Sequence, residues 1–235
     1  MLDAKVDSQP VVSSGARAIG GGALALAIAY IALSVGRPLL VLVFGQTDDG
    51  AFLTPDVAGS VGSQVVGVFI AIVFFTIAGS MLVMRAGLRT VAPSVSTRTT
   101  LITDAAILGA AGFALVGGLG RVTLSVFASS LSGTGADAAS QVAALHVANI
   151  VTGAASTVGG AGLAILLVGV ATIGHSAGVF GRPTAVVAWI GAGALAVGFV
   201  GFAFLPVQFL APVLFLAVAV VALRRGRRGV ESSGS

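Results

Sequence analysis

Two arginines stand at the edges of long apolar stretches and are the residues best suited to binding chemistry. Arg37 follows an uncharged stretch that begins at Ala18, and Arg121 comes 17 residues after Asp104. A third polar residue, His146, begins a later apolar run. Because a guanidinium group binds carboxylates and phosphates through charge-assisted hydrogen bonds, Arg37, Arg121 and His146 together would suit an anionic ligand or a lipid headgroup.

A purely structural role for these arginines is the alternative. An arginine near the end of a membrane helix can extend to the headgroups or pair with a loop carboxylate, which stabilises the fold without any ligand. A structural role is also the alternative for Asp104, because a carboxylate at the start of a helix is favoured by the helix dipole and need not carry protons. The loop carboxylates available for pairing are Asp48, Asp49, Asp56 and Asp137.

Most motifs for catalysis or metal binding are missing from the sequence. It contains no HExxH or GxxxxGK[ST] pattern and no cysteine. His146 and His175 fall on opposite sides of the membrane in the topology derived below, so they cannot share a metal ion. We therefore predict no catalytic residue, no metal and no cofactor, and a non-enzymatic protein.

A basic run near the C-terminus explains much of the high isoelectric point of about 11.1. The run directly follows an apolar segment, which is typical of an anchor at the membrane edge and not of a nucleic-acid site. It would also attract anionic lipid headgroups. Its four arginines are Arg224, Arg225, Arg227 and Arg228.

The composition identifies the elements that must carry these residues. The 235-residue chain has only 12 basic and 8 acidic residues, and 57% of it is hydrophobic. A soluble domain of this length would carry about 25% charged residues, and a mean hydropathy of +1.09 leaves too little polar surface to cover a globule. We therefore predict an all-α membrane protein in contact with a lipid bilayer.

Six membrane spans follow from the gaps between charges, because a helix needs about 20 apolar residues to cross the hydrocarbon. The interval 183–223 would form a helix of about 61 Å, twice the required length, so it must fold back. We expect the reversal at Leu205, Pro206, Val207 and Gln208, because proline cannot donate a backbone hydrogen bond. The predicted spans are 18–44, 61–84, 105–127, 147–173, 184–204 and 207–223, between an N-terminal tail at 1–17 and a C-terminal tail at 224–235.

An even number of spans places both termini on one side. Ten of the twelve basic residues then lie on that side, which the positive-inside rule assigns to the cytoplasm. Small residues repeat every four positions along several spans, a spacing that permits close helix packing or an interface with a second copy or another membrane protein. Eleven arginines against a single lysine, with abundant Ala, Gly and Val, indicate a GC-rich bacterial source and hence its cytoplasmic membrane.

The segment from Gly178 to Phe202, in which Gly181, Arg182 and Pro183 lead into a fifth span rich in small residues, carries a family resemblance. In this and in overall plan the chain resembles the uncharacterised six-span membrane proteins common in GC-rich bacteria. The resemblance implies an architecture and supplies no active residue. Two functions stay open, a non-enzymatic structural or regulatory membrane component and a transporter of small solutes or lipids.

Overall fold

The computed structural model describes residues 8–43, 59–92, 97–131, 134–200 and 204–231. Throughout these ranges the regular structure is helical, which confirms the predicted all-α class. The first rod consists of α1 (Ser8–Ile31), a π-helical turn (Ala32–Gly36) and α2 (Arg37–Val43). It is followed by α3 (Val61–Val91), α4 (Thr97–Leu131), α5 (Ala138–Gly169) with a second π-helical turn (Val170–Gly174), α6 (Arg182–Val200) and α7 (Phe204–Glu231).

Five of these rods are long and apolar enough to cross a membrane. They are Val12–Val43, Val61–Val91, Thr100–Leu131, Ala138–Gly174 and Phe209–Arg227. The apolar part of α6, Arg182–Gly198, is shorter than the others. The chain is therefore a polytopic membrane protein by helix length and hydropathy, and the number of crossings is five or six according to whether α6 crosses.

The helices extend further than the predicted spans, and glycine contacts pack the additional turns against neighbouring helices. Within the predicted N-terminal tail, α1 already begins at Ser8, and a Cβ on Gly15 would lie 2.9 Å from the carbonyl oxygen of Gly87 in α3. Within the predicted C-terminal tail, α7 continues to Glu231, and Gly226 is buried against the side chain of Arg17.

The expected chain reversal at 205–208 lies elsewhere in the structure. Helix α7 begins at Phe204, so Pro206 belongs to its first turn. Proline is tolerated there because the first backbone N–H groups of a helix have no partner within it. Residues 205–208 are therefore helical, and residues 201–203, between α6 and α7, lie outside the described ranges.

The rods pack antiparallel to their neighbours. Gly15 contacts Gly87 while Gly36 contacts Phe69, so residue numbers rise along the first rod as they fall along α3. Where α4 meets α5, a Cβ on Gly159 would lie 2.7 Å from the backbone nitrogen of Ala114. Glycine thus sets the short distance between helices. In lipid the hydrophobic effect does not drive helices together, and close packing at small residues is the source of association instead.

The bundle has two ends, which we name by what they hold. The terminal end contains the start of α1 and the end of α7, which meet where Gly226 packs on Arg17. The far end contains α2, the start of α3 and the hairpin between α4 and α5. Large apolar side chains between the two ends point outward, including Ile72, Val116 and Ile190, which are 59%, 55% and 68% exposed. These outward residues form the surface that contacts lipid.

Proline accounts for the π-helical turn in the first rod. Pro38 has no backbone N–H, and its ring collides with the carbonyl of the residue four positions earlier in a regular helix, here Ser34. The wider turn at Ala32–Gly36 contains that residue and lets the rod continue into α2. Arg37 directly precedes the proline and begins α2, so it lies at the far end of the bundle.

Candidate polar sites at the two ends of the bundle

Polar side chains gather in two layers, one near each end of the apolar bundle. The layer near the terminal end is an ion cluster of Arg85, Arg89 and Asp104. The layer near the far end contains Arg37, Arg121 and Asn149. Asp104 and Arg121 are both on α4, and their 17-residue separation corresponds to about 26 Å along the helix axis, close to the thickness of bilayer hydrocarbon.

Asp104 is the buried centre of the ion cluster. Its side chain is 9% exposed, and Arg85 Nε donates to Oδ1 over 2.9 Å. Arg89 Nε forms an ion pair with Oδ2. Arg85 and Arg89 are four residues apart on α3 and therefore share one face of that helix, which is why both reach the same carboxylate.

This cluster changes the interpretation of Asp104. The sequence suggests a carboxylate favoured by the helix dipole, yet α4 begins at Thr97, so Asp104 lies in the second turn and not at the N-terminus. Buried between two arginines, the carboxylate of Asp104 offsets the positive charge that the pair would otherwise place inside the bundle. A usable signal was present in the sequence, since two arginines with helical spacing precede the first acidic residue of the next helix.

Arg121 is the buried member of the far-end layer. Its Nη1 donates to Asn149 Oδ1 on α5 over 2.8 Å, and it is half-buried. The backbone of α3 comes close at this level, because a Cβ on Gly67 would lie 2.8 Å from the carbonyl oxygen of Arg121. Arg37 is exposed on the first rod, near enough to Arg121 for the two positive charges to repel each other.

The structure brings together two of the three residues proposed as a ligand site. Arg37 and Arg121 share the far end, as their positions in the apolar stretches predict. His146 lies one helical turn from Asn149 on α5, but it is exposed and makes no hydrogen bond or ion pair with any described residue. Asn149 is the residue that sequence analysis misses, because an uncharged amide inside an apolar helix gives no charge signal.

The loop carboxylates have different positions. Asp137 caps the N-terminus of α5, where Oδ1 accepts the backbone N–H of Ser140 over 2.9 Å and Oδ2 accepts its hydroxyl over 2.7 Å. Asp137 is therefore engaged in helix capping. The other candidates for pairing with the arginines, Asp48, Asp49 and Asp56, lie outside the described residues.

The C-terminal arginines lie at the terminal end, and one of them has a specific contact. Arg225 Nη2 donates to the carbonyl oxygen of Gly178 over 3.2 Å. Gly178 adopts a left-handed conformation with φ of 72°, and it closes a tight loop in which His175 Nδ1 lies 3.0 Å from the carbonyl oxygen of Phe180. Arg225 therefore ties α7 to the loop between α5 and α6, while Arg224 and Arg227 are exposed and the side chain of Arg228 lies outside the described part of the chain.

Two grooves lie on the surface of the described part of the bundle. One, of about 310 Å³, lies between α4 and α5 and is lined by Gly120, Thr123, Leu124, Phe127, Ala148 and Thr152. The other, of about 180 Å³, lies mainly between α6 and α7, where Thr184 and Val221 both line it. Among the residues described, no group of three or more His, Asp or Glu side chains is placed to hold a metal ion.

Comparison with protein-family models, with curated proteins and with solved structures finds no match to this chain.

Proposed function

We propose that this chain is a six-span, non-enzymatic component of a bacterial cytoplasmic membrane, with a structural or regulatory role. The observation that supports the proposal is a filled midplane. Between the two polar layers, the side chains of Met81, Ala114 and Leu163 are completely buried, and Gly162 approaches Ala110 and Met81. Three helices meet here without a polar lining. A solute pathway would need such a lining at this depth, whereas a scaffold does not.

The arrangement of α6 and α7 supports a sixth crossing. Thr184 and Val221 line one groove, and Gly191 packs against Leu214, so residue numbers rise along α6 as they fall along α7. The 19 residues of α6 would extend about 28 Å, which nearly matches the hydrocarbon thickness. A helix that runs beside α7 over this length crosses the bilayer with it.

The distribution of charge supports the orientation. Seven of the described arginine side chains lie at the terminal end, against two at the far end; the seven are Arg17, Arg85, Arg89, Arg182, Arg224, Arg225 and Arg227. The positive-inside rule then places the terminal end in the cytoplasm. The abundance of arginine over lysine supports a bacterial source, in line with the resemblance described above.

A transporter of small solutes or lipids is the competing function, and flux through reconstituted vesicles separates the two. We expect the purified protein in vesicles to give no more permeability to glycerol, amino acids or inorganic ions than protein-free vesicles. Protein-dependent flux that is lost in Arg37→Ala or Arg121→Ala would instead support the transporter and contradict our proposal.

Cysteine labelling tests the filled midplane directly, because the native chain has no cysteine. We expect Ala114→Cys to resist a small water-soluble thiol reagent, since Ala114 is completely buried. The exposed Ser129→Cys on the same helix is the control and should react fully. Rapid labelling at position 114 in the folded protein would indicate a water-filled path and would count against the scaffold.

A further inference from the structure

The groove between α6 and α7 is bounded by a contact at each of its ends. Toward the middle of the bundle, Gly191 packs against Leu214. At the terminal end, Arg225 Nη2 donates to the carbonyl oxygen of Gly178, in the loop before α6, over 3.2 Å. Between these contacts the groove extends about 10 Å along α7, from Leu214 to Val221. It therefore lies in the half of the bilayer at the terminal end.

The walls of this groove are almost entirely hydrocarbon. They include Leu167 of α5, Val187 of α6 and Val218 of α7, and the polar lining residue, Thr184, lies near the terminal end of α6. If the groove were empty, its walls would lose their dispersion contacts, and water would find few hydrogen-bond partners there. A hydrocarbon chain is the occupant that such walls favour.

Exposed arginines stand where the groove reaches the terminal end. The α7 residues that line it recur with helical spacing, and Arg225 continues the same face four residues after Val221. Arg224 is next to it, and Arg182 begins α6 beside the lining residue Pro183. All three arginines are exposed, so they place positive charge at the mouth of an apolar groove.

The hydrogen bond to Gly178 orients Arg225 at this mouth. A carbonyl oxygen is neutral, so the bond fixes the guanidinium and leaves its positive charge in place. A guanidinium has five N–H donors, and the exposed side chain of Arg225 can direct others toward a ligand. Arginine binds phosphate through such charge-assisted hydrogen bonds. The mouth and the groove together therefore fit a ligand with a negative group on a hydrocarbon chain.

We propose that this groove holds an acyl chain of an anionic phospholipid from the leaflet at the terminal end, and that Arg225 and Arg224 bind its phosphate group. Basic pockets between membrane helices are suited to such headgroups on the cytoplasmic side. The site rests on α6 lying in the hydrocarbon beside α7, as proposed above, and goes beyond the scaffold role, which does not require a bound lipid.

Two tryptophan reporters on α6 test the proposal. Trp189→Phe combined with Val187→Trp places the fluorophore on the groove wall. The native Trp189 is the reference, because it is half exposed and lies only about 3 Å further along the axis on the opposite side of the helix. Each protein is reconstituted into vesicles of phosphatidylglycerol and phosphatidylcholine in which one of the two lipids carries brominated chains.

Quenching gives the relative association of the two lipids at each reporter. Because one basic residue near a membrane surface favours anionic lipid about five-fold, we expect phosphatidylglycerol to associate at least about five-fold more strongly at position 187. The preference at Trp189 should be clearly smaller, since that side chain faces lipid outside the groove.

Variants of the arginines identify the source of the preference. Arg225→Gln should reduce the ratio at position 187 about five-fold, whereas Arg225→Lys, which retains the charge, should keep most of it. Arg224→Gln leaves the bond to Gly178 intact and should also reduce the ratio. Arg227→Gln is the matched control, because Arg227 is exposed in the same basic run but lies on the opposite face of α7 from Arg225, and the ratio should not change.

A groove-filling substitution tests the position of the acyl chain. Ala217 is exposed and lines the groove, so Ala217→Phe should occupy the space of the chain and lower the quenching at position 187 by either brominated lipid. Val220→Phe is the control, because Val220 is exposed on α7 but does not line the groove, and it should leave the quenching unchanged.

Several results would overturn the proposal. Equal association of the two lipids at position 187, or the same preference there as at Trp189, would show that the groove selects no lipid. A preference that survives both Arg225→Gln and Arg224→Gln would remove these arginines from the site. Quenching at position 187 that disappears as the ratio of protein to lipid rises would show that a second copy fills the groove.

The same vesicles separate this proposal from the six-span scaffold. If brominated lipid failed to quench Trp189, α6 would not lie in the hydrocarbon, and the sixth crossing would be wrong together with the site. Normal quenching of Trp189 without selection at position 187 would overturn the lipid site alone, and the flux measurements test the scaffold independently of both.

Discussion

A single buried carboxylate, Asp104, forms ion pairs with two arginines, so removing its charge should measurably lower the stability of the fold. Asp104→Asn keeps the shape and one acceptor oxygen but leaves Arg85 and Arg89 as like charges near each other. We expect the free energy of unfolding to fall by about 2 to 3 kcal/mol, less than for a fully buried pair because Arg89 is half exposed. Unfolding of the detergent-solubilised protein, followed by circular dichroism, measures the loss.

Asp137→Asn is the matched control for this change. The residue is exposed, and asparagine caps a helix about as well as aspartate, so the stability should change far less than in Asp104→Asn. Equal effects of the two substitutions would show that the ion cluster contributes nothing specific to the fold.

The hydrogen bonds from Ser140 predict how Asp137 titrates. The Ser140 hydroxyl and backbone N–H stabilise the ionised carboxylate, which lowers the pKa of Asp137 below its ordinary value. A lowered carboxyl pKa stabilises the start of α5 above the pKa of the unfolded chain, and that contribution is lost as the pH falls through the folded pKa. We expect Ser140→Ala to raise the pKa toward its ordinary value, as measured by carbon NMR of the labelled carboxyl group, and an unchanged pKa would refute the assignment.

Charge and spacing let the sequence predict part of the candidate site. Arg37 and Arg121 interrupt apolar stretches at distances that match the hydrocarbon thickness, so their location at one end follows from counting residues. The hydrogen bond from Arg121 to Asn149 depends on which faces of α4 and α5 meet, and no residue type announces that choice. Only the structure therefore shows that the partner of Arg121 is Asn149 and not His146, which lies one helical turn away.

For the helices, glycine contacts have a direct consequence at the α4–α5 contact. In Gly159→Ala, the new Cβ would lie 2.7 Å from the backbone nitrogen of Ala114, so the two helices must separate. We expect a loss of about 1 to 3 kcal/mol in unfolding free energy, although alanine favours helix formation more than glycine does. Thermal unfolding in a fixed detergent provides the measurement.

Gly153 lies on the same helix and serves as the comparison. A Cβ at this position meets no atom within 4 Å, so Gly153→Ala adds helix propensity without a clash. We expect its stability to rise by up to about 1 kcal/mol. If both substitutions stabilised the protein, the short distance between α4 and α5 would not depend on glycine.

The sequence predicts the existence of the helices more reliably than it predicts the residues at which they begin and end. Long uncharged apolar runs require helices in lipid, because every backbone polar group must be satisfied within the segment. The ends are set by packing outside the apolar runs, as at Gly15 against Gly87 and Gly226 against Arg17. Such contacts join residues distant in the sequence, which explains why polar segments counted as tails belong to α1 and α7.

For the whole molecule, the antiparallel packing of the helices and the bias of positive charge toward one end predict the same membrane topology. If all six rods cross the membrane, the terminal end lies in the cytoplasm and the hairpin between α4 and α5 lies outside. Labelling of single cysteines in intact cells with a membrane-impermeant maleimide tests this most directly. Suitable positions are Thr134→Cys in the hairpin, Ser176→Cys before α6 and Ser232→Cys after α7.

We expect the cysteine at position 134 to react in intact cells, and those at 176 and 232 to react only after the membrane is permeabilised. Positions 176 and 232 flank the α6–α7 pair, so their agreement shows that α6 crosses together with α7. Labelling of positions 134 and 232 from the same side, or of 176 and 232 from opposite sides, would contradict a six-span bundle with both termini in the cytoplasm.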